Sequence, residues 1–126
     1  MTYVLDASAV LAVLFNEAGR DIVIDLGQGG TISAVNLAEV LTRSADKDVP
    51  VEVRRAIVGD MGLNVVAFDA NAAELAAELR APTRRLGLSL ADRACLALAR
   101  TRGLTALTGD RAWADLDIGV EIMLIR

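Results

Sequence analysis

The sequence contains no histidine and only one cysteine, Cys95, among its 126 residues. Without an imidazole, the chain cannot use a histidine general base, activate a serine or cysteine nucleophile through one, or assemble most kinds of zinc site. A single cysteine excludes a disulfide within the chain and is typical of proteins in a reducing compartment. If the protein is an enzyme, carboxylates or a metal ion must therefore carry its chemistry.

Aromatic residues and long apolar runs are also scarce. Aromatics make up 3% of the sequence against 54% hydrophobic residues, so the core must consist of valine, leucine, isoleucine and alanine. The longest apolar runs, such as "AVLAVLF" at 9–15, are shorter than the roughly 18–20 residues of a membrane-spanning helix. The first predicted strand begins at residue 2, which leaves no room for a signal peptide. We therefore expect a single cytoplasmic domain over residues 1–126, without a membrane segment.

Strand-like and helix-like segments alternate along the whole chain. Five short runs have the composition of buried strands, at 2–6, 30–34, 63–68, 104–109 and 120–125. Helix-like segments lie between them, at 7–16, 20–27, 35–48, 49–62, 69–87 (disturbed by Pro82) and 90–103, with a turn or short helix over 110–119. This alternation predicts an α/β domain in which helices cover both faces of a mostly parallel central sheet.

Two carboxylates stand where predicted strands end. Asp6 ends the first strand, and Asp110 comes directly after the strand over 104–109. In an open parallel sheet, ligands bind outside the carboxyl ends of the strands, so both residues belong to the edge where a site would form. Each also has a simpler interpretation, because aspartate is a preferred helix N-cap and both residues precede helix-like segments.

Asp92 lies in the first turn of the helix predicted over 90–103. Arg93 and Arg100 define the solvent-facing side of this helix. Asp92 instead shares a side with apolar residues, which are Cys95, Leu96 and Ala99. A carboxylate beside an apolar stripe is unfavourable unless it is paired or bound to a cation. The alternative is a first-turn aspartate stabilised by the helix dipole, with Ser89 as the N-cap.

Glu39 lies on the helix predicted over 35–48, directly after a predicted strand. It shares a polar stripe with Asn36 and Arg43, whereas the side predicted to face the core contains Leu37, Ala38 and Leu41. Taken alone, Glu39 is typical of an ordinary surface glutamate. The first half of a helix that follows a parallel strand nevertheless lies near the same carboxyl-end edge.

Charge is distributed unevenly along the chain. The formal net charge is −4, which argues against a nucleic-acid partner. The first 79 residues carry twelve acids and five bases, whereas the segment over 80–111 has only two acids. That segment contains seven arginines, at positions 80, 84, 85, 93, 100, 102 and 111. A solvated basic face is the simplest interpretation, and a surface that holds an anion is the alternative.

If the candidate carboxylates converge in the fold, they would form a cation site and would not simply be four separate helix caps. The candidates are Asp6, Glu39, Asp92 and Asp110. Like charges a few ångströms apart cannot all stay ionised without a cation between them, and carboxylates with water suit Mg²⁺ or Mn²⁺. Such an ion activates water and neutralises charge on a phosphoryl group, while the arginines would hold an anionic substrate. Together these features favour hydrolysis of a phosphodiester.

Four phrases in a fixed order carry a resemblance to a known family. They are "VLDASA" at 4–9, "SAVNLAEV" at 33–40, "LSLADRACLALA" at 88–99 and "LTGDRAW" at 107–113. Their order and spacing over nearly the full chain resemble PIN-domain ribonucleases, and among them the VapC-type toxins of bacterial toxin–antitoxin pairs. The resemblance implies a PIN-like three-layer sandwich and a metal-dependent endoribonuclease that uses Mg²⁺ or Mn²⁺.

The same resemblance implies roles for individual residues. An acidic quartet would consist of Asp6, Glu39, Asp92 and Asp110, with Asp6 and Asp92 as the metal ligands and with Glu39 and Asp110 as candidates for further ligands. Glu39 would orient water or act as a base, and Asp115 or Asp117 is an alternative to Asp110. Hydroxyl and amide groups that would orient the ligands belong to Ser8, Thr108 and Asn36, although Ser8 and Thr108 also fit as caps or turn residues.

The resemblance also implies partners. Such toxins form homodimers and are held inactive by a small antitoxin, for which the apolar helices over 7–16 and 20–27 are plausible docking surfaces. The alternative for 7–16 is a helix buried within the monomer. Contacts to the RNA backbone would come from Arg84, Arg85 and Arg93. The sequence leaves the RNA target open.

Functions of other classes fit the sequence less well. A receiver-type signalling domain needs an acidic pair after the first strand and a late lysine, but Asp6 is single and the only lysine, Lys47, lies in a predicted helix. A dinucleotide-binding domain needs a glycine-rich G-x-G-x-x-G turn, which "DASAVL" at 6–11 lacks. A catalytically silent PIN-like module that binds RNA or protein remains the main alternative to the nuclease.

Overall fold

A five-stranded sheet in which every pair of neighbours is parallel forms the centre of the structure, a computed structural model that describes residues 2–126. The strands are β1 (Tyr3–Leu5), β2 (Thr31–Ser33), β3 (Asn64–Val66), β4 (Thr105–Thr108) and β5 (Ile122–Leu124). Their spatial order is β3-β2-β1-β4-β5, so the order reverses at β1. The carboxyl ends of β1 and β4 therefore flank a topological switch point, where α/β folds bind their ligands.

Helices fill the connections between the strands. They are α1 (Ala7–Leu14), α2 (Arg20–Leu26), α3 (Ala34–Asp46), α4 (Val51–Asp60), α5 (Ala70–Glu78), α6 (Arg80–Thr83) and α7 (Leu90–Arg102). Two 3₁₀ turns span Arg84–Leu86 and Arg111–Asp115. Within residues 2–126, every helix is too short or too polar to cross a membrane. The cytoplasmic location stays a prediction.

The sheet separates two apolar cores, which makes the fold a three-layer sandwich. Tyr3 and Leu5 point into a core formed with α1, α2 and α3, whereas Val4 between them points into a core formed with α5, α7 and the buried Trp113. Side chains alternate across a strand, so one short strand supplies both cores. The predicted α/β fold with a parallel, helix-covered sheet is confirmed.

Most elements begin and end close to the predicted positions. The largest difference is the segment over 69–87, which divides at its end into α5, α6 and a 3₁₀ turn around Pro82. Pro82 lies in the first turn of α6, where a missing amide hydrogen is tolerated, but it cannot donate to the carbonyl of Glu78 four residues earlier, so α5 ends there. The apolar helix α1 has five buried residues, so the interpretation of 7–16 as a helix within the monomer is the correct one.

The buried face of α3 differs from the prediction. Asn36, Val40 and Ser44, spaced by four residues, are buried, whereas Ala38, predicted to face the core, is exposed. A helical wheel assigns apolar residues to the core, but here polar Asn36 is enclosed because α3 packs against α7 as well as the sheet. Asn36 therefore lies inside the protein and not on a polar surface stripe.

Side chains cap the helices that follow strands. Asp6, Ser33 and Asp69 accept backbone N–H groups at the starts of α1, α3 and α5, and Asp110 does the same for the second 3₁₀ turn. Such caps satisfy donors that have no partner within the helix. The capping interpretation of Asp6 and Asp110 is thus confirmed, and it fixes both residues at the carboxyl edge of the sheet.

Gly19 and Gly29 both have positive φ angles but differ in their surroundings, which predicts unequal effects of alanine. A Cβ atom at Gly19 (φ +92°) would clash with the Ile125 carbonyl oxygen, whereas one at Gly29 (φ +68°) would meet nothing within 4 Å. Gly29→Ala should cost about 1–2 kcal/mol of unfolding free energy from the left-handed backbone alone. Gly19→Ala should cost clearly more in urea denaturation, because the chain segment around Ile125 must also move. Equal losses of unfolding free energy in the two variants would contradict the close packing of Ile125 against Gly19.

Candidate active site

The carboxylate of Asp6 is the centre of a hydrogen-bond network between β1 and β4. Asp6 is only 5% exposed. Its Oδ1 accepts hydrogen bonds from Ser8 Oγ (2.7 Å) and from the Ala9 N–H (3.0 Å), and its Oδ2 accepts one from Thr108 Oγ1 (2.5 Å). Three donors hold the carboxylate in one orientation, which a ligand site on a rigid strand end requires.

Backbone N–H groups fix the two hydroxyls that serve Asp6. The Gly109 N–H donates to Ser8 Oγ (2.8 Å), and the Asp110 N–H donates to Thr108 Oγ1 (3.0 Å). Each hydroxyl therefore accepts from the backbone and gives its only hydrogen to Asp6, so the 3.4 Å approach between Ser8 and Thr108 cannot be a further strong bond. The turn after β4 thereby locks the orientation of a residue on β1.

Burial raises the pKa of Asp6 from its ordinary 3.8 to about 6. The hydrogen bonds from Ser8, Thr108 and Ala9 favour the carboxylate and oppose this rise, and the negative charge of Asp92 adds to it. Folding thus brings an acid into a place where its ionised form is unfavourable, although all three donors around it are arranged for that ionised form.

Asp92 has two roles in the structure. Its Oδ2 accepts the Ser89 N–H (2.9 Å) while its own N–H donates to Ser89 Oγ (3.1 Å), which is a capping box at the start of α7. The predicted alternative of a first-turn aspartate with Ser89 as N-cap is therefore confirmed. Its negative charge also raises the pKa of Asp6 and of Glu39, so Asp92 lies within electrostatic range of both acids.

Glu39 and Asn36 connect α3 to this group. Partial burial raises the pKa of Glu39; Arg43 opposes that rise and Asp92 adds to it. Asn36 donates from Nδ2 to the carbonyl oxygen of Ala91 (3.0 Å), the residue before Asp92, while its buried Oδ1 has no hydrogen-bond partner. The amide therefore fixes the first turn of α7 against α3, which sets the position of Asp92 relative to Glu39.

Cys95 lies one helical turn after Asp92 and is fully buried. Burial, followed by the charges of Asp6 and Asp92, raises the pKa of its thiol well above the usual range. A thiol in this environment stays protonated and is a poor nucleophile or metal ligand. Cys95 therefore acts as a packing residue beneath the acidic group.

Asp110 is the acid that follows β4. Its backbone N–H contacts Thr108, and its Oδ1 accepts the Ala112 N–H (3.0 Å). The alternatives Asp115 and Asp117 are exposed, and neither makes a side-chain hydrogen bond to the Asp6 network within residues 2–126. Of Asp110, Asp115 and Asp117, Asp110 is thus the one that is hydrogen-bonded to this network, through its backbone N–H.

The arginines predicted to contact RNA fall into two groups. Arg84 and Arg85 are exposed on the 3₁₀ turn that leads to α7. Arg93 is partly buried and donates from Nη1 to the Ala76 carbonyl oxygen (2.9 Å). The prediction that Arg93 faces solvent is wrong, because α5 packs over that side of α7. The Arg93 guanidinium instead links the two helices through its bond to Ala76.

Two carboxylates of this group, Asp6 and Asp92, have oxygens that a divalent cation could use. Within residues 2–126, no group of three or more histidine, cysteine, aspartate or glutamate side chains is arranged to hold a metal ion. Asp6 Oδ2 accepts a single hydrogen bond, and Asp92 Oδ1 accepts none from the described residues, so each retains lone pairs. Mg²⁺ commonly binds one or two carboxylates and keeps several waters, so the chemistry of these two donors suits such an ion without a third acid.

Comparisons with known proteins agree with this fold. A family model, the PIN domain, matches residues 3–119. No curated protein matches the chain in sequence. Among solved structures, a toxin–antitoxin complex from Klebsiella pneumoniae contains a chain that is 17% identical, with 99% of this chain and 98% of that chain covered and a TM-score of 0.78.

Two further structures have the same fold. VapBC from Salmonella typhimurium, solved bound to DNA, has a chain 22% identical over 100% of this chain and 99% of that chain, with a TM-score of 0.70. The toxin VapC20 of Mycobacterium tuberculosis, described as cleaving the sarcin–ricin loop, is 18% identical over 95% and 99%, with a TM-score of 0.71. Identities this low establish a shared fold only.

The raised pKa of Asp6 predicts how stability depends on pH. The group is protonated more readily in the folded state, so its stabilising contribution is full below pH 3.8 and is lost as pH rises through about 6. In EDTA, the unfolding free energy of the wild type relative to Asp6→Asn should fall by up to about 3 kcal/mol between pH 4 and pH 7, measured by urea denaturation.

Asp69→Asn is the matched control for this measurement. Asp69 caps α5 through a 2.9 Å bond to the Ala72 N–H but is exposed. Its asparagine variant should follow the wild type across the same pH range. If the curves for wild type and Asp6→Asn run parallel, Asp6 is not desolvated in the folded protein.

Proposed function

This chain belongs to the PIN domain family, and on that premise we propose that it is a metal-dependent endoribonuclease, the toxin of a toxin–antitoxin pair. The observation that carries the proposal is the buried Asp6 carboxylate at the switch point, with all its hydrogen bonds directed at the ionised form. A helix cap alone does not need two further hydroxyl donors, since exposed Asp69 caps α5 through one hydrogen bond of 2.9 Å from the Ala72 N–H. The extra donors are accounted for if Asp6 must remain a carboxylate in order to hold a cation.

Asp6 and Asp92 are the residues that would hold Mg²⁺ or Mn²⁺. Such an ion lowers the pKa of water and neutralises charge that develops on a phosphoryl group. A cation at this position also removes the unfavourable energy of an ionised Asp6 beside Asp92, because opposite charge favours the carboxylate form. The ion would therefore stabilise the fold as well as support hydrolysis.

Surrounding residues hold the two ligands in position. Ser8 and Thr108 orient Asp6, and Ser89 fixes one oxygen of Asp92. Asn36 sets the first turn of α7 through the Ala91 carbonyl. These are positioning roles, of the kind that tune a metal site through hydrogen bonds to its ligands.

Glu39 is the proposed general base. Its pKa is raised by partial burial and by Asp92, against the opposing charge of Arg43, and a base works best when its pKa approaches the working pH. Asp110 is proposed to complete the acidic quartet. Its backbone N–H donates to Thr108 Oγ1 and its Oδ1 accepts the Ala112 N–H, and these two bonds hold the residue next to Thr108.

RNA is the proposed substrate. VapC20 is described as a toxin that cleaves the sarcin–ricin loop. The shared fold, together with the carboxylates that this chain places at the carboxyl edge of its own sheet, favours the same class of reaction here. Arg84 and Arg85, exposed just before α7, are available for phosphates near Asp92. Phosphate contacts position a strand without selecting its sequence, so no particular RNA is assigned.

An antitoxin protein is the proposed inhibitor, since the similar structures include toxin–antitoxin complexes. Because α1 is buried, α2 is the better candidate for a docking surface. It exposes Ile22 (41%) and Ile24 (36%). A homodimer is likewise proposed from the family resemblance.

A catalytically silent binding module is the second candidate. It is favoured by one observation, the lack of a group of three or more acids ready to hold a metal within residues 2–126. The two candidates differ in whether RNA is cut when a divalent cation is supplied.

We expect the wild type to cleave RNA in Mg²⁺ or Mn²⁺ and to lose activity in EDTA. Asp6→Asn and Asp92→Asn should each lower the cleavage rate at least about 100-fold, since even residues that only support metal ligands contribute 10- to 100-fold. Asp46→Asn, an exposed acid in the last turn of α3, is the matched control and should cleave like the wild type.

A thermal-shift titration with Mn²⁺ provides a readout independent of cleavage. The ion should raise the melting temperature of the wild type but not that of Asp6→Asn, because ligands that bind only the folded state stabilise it. Metal stabilisation without any RNA cleavage would favour the silent module. Full activity in Asp6→Asn would overturn the nuclease mechanism.

A further inference from the structure

The last described residue, Arg126, lies beside the turn that fixes Asp6. β5 pairs in parallel with β4, and the Ile125 N–H donates to the Thr108 carbonyl oxygen (2.9 Å). This pairing brings Arg126 next to Gly109, although the two residues are well separated in the sequence. Arg126 lies outside the arginine-rich segment over 80–111, so charge distribution along the chain does not point to it.

The guanidinium of Arg126 occupies the space over Gly109. A Cβ atom at Gly109 would lie 2.7 Å from Nη2, 2.8 Å from Cζ and 3.2 Å from Nε of Arg126. Gly109 does not have a positive φ angle, so its backbone conformation does not require glycine. The absence of a side chain at position 109 instead leaves room for the guanidinium to approach the backbone closely.

One hydrogen bond fixes the guanidinium, and most of its donors remain available. Nη1 donates to the Ala18 carbonyl oxygen (2.9 Å). Among residues 2–126, no carboxylate forms an ion pair with Arg126, and the residue is exposed. An arginine has five N–H donors in a planar fork that suits phosphate, so this side chain has the capacity to bind an anion.

The position of this cation relates it to the candidate active site. Gly109 donates its N–H to Ser8 Oγ, which in turn donates to Asp6 Oδ1. Following these contacts and the intervening covalent bonds, the guanidinium lies within about 11 Å of the Asp6 carboxylate. A nucleic-acid strand that passes over Asp6 would therefore bring a neighbouring phosphate within reach of a guanidinium that is already held in place.

We propose that Arg126 binds a backbone phosphate of the RNA substrate, at the β4–β5 side of the acidic site. The inference rests on the proposed ribonuclease function and adds a binding residue to it. The competing explanation is purely structural, in which Arg126 braces the loop at Ala18 and has no role toward RNA. The two explanations differ in salt dependence, because a phosphate contact releases counterions and a brace does not.

RNA binding is measured by fluorescence anisotropy in the Asp6→Asn background, which prevents cleavage, with a short labelled single-stranded RNA at several salt concentrations. Arg126→Gln should weaken binding about tenfold at low salt, as expected for a hydrogen bond to a charged group, and Arg126→Lys should lose less. The slope of log affinity against log salt should fall by about 0.7, the value for one phosphate contact on a single strand.

Arg100→Gln is the matched control. Arg100 is exposed in the last turn of α7, which leads into the amino end of β4 and so lies at the opposite edge of the sheet. Its glutamine variant should keep the parental affinity and salt slope. In the cleavage-competent protein, Arg126→Gln should raise KM with little change in kcat, because a phosphate contact away from the reacting atoms contributes uniform binding.

Gly109→Ala tests the geometry without removing the charge. The added methyl group would displace the guanidinium, because its three nearest neighbours are atoms at the flexible end of the Arg126 side chain. This variant should share the binding defect of Arg126→Gln, and the double variant should be no worse than either single one, because both changes remove the same contact.

The outcomes separate the inference from the function on which it rests. If the wild type cleaves RNA while Arg126→Gln has the parental affinity, salt slope and KM, Arg126 is no phosphate ligand, and a lowered melting temperature alone would identify it as a brace. If the wild type neither binds nor cleaves RNA, the proposed function fails and the inference fails with it.

Discussion

The desolvation of a single carboxylate is the constraint on which the site depends. Folding places Asp6 at the junction of β1 and β4, where only 5% of its surface is accessible, and surrounds it with two hydroxyls and an amide. Burial nevertheless outweighs those bonds and raises the pKa to about 6. Near neutral pH the protein therefore holds an anion in an environment that opposes it, which is the physical condition for a cation site.

Capping and ligation are compatible because a carboxylate has two oxygens. Asp92 gives one oxygen to the capping box with Ser89, and Asp110 gives one to the Ala112 N–H, while the remaining oxygen of each is unused by the cap. A cap also fixes the side chain on the first turn of a helix, directly after a strand or loop at the functional edge. The two interpretations that the sequence allows, helix cap and metal ligand, therefore do not exclude each other, because the cap supplies the orientation that a ligand needs.

The fold and the position of the acids could be predicted because they depend on local patterns. Short apolar runs between helical segments predicted the parallel sheet, and strand ends predicted where Asp6 and Asp110 lie. Three other features could not be predicted: Asn36 is buried, Arg93 links α7 to α5, and Arg126 approaches Gly109. Each of these is determined by how a second element packs, and neither hydrophobic periodicity nor charge along the chain contains that information.

Electrostatics also explains why an acidic protein could act on a polyanion. The net charge of −4 and the charges of Asp6 and Glu39, each within electrostatic range of Asp92, repel phosphate at the place where it would have to react. Positive charge stands at the margins of this group, on Arg84 and Arg85 before α7 and on Arg126 beyond β5. The margins can hold a strand, and a cation that reverses the local charge would favour its approach to Asp6. Under the proposed function, metal binding and RNA binding would therefore be thermodynamically linked, each favouring the other by the same factor.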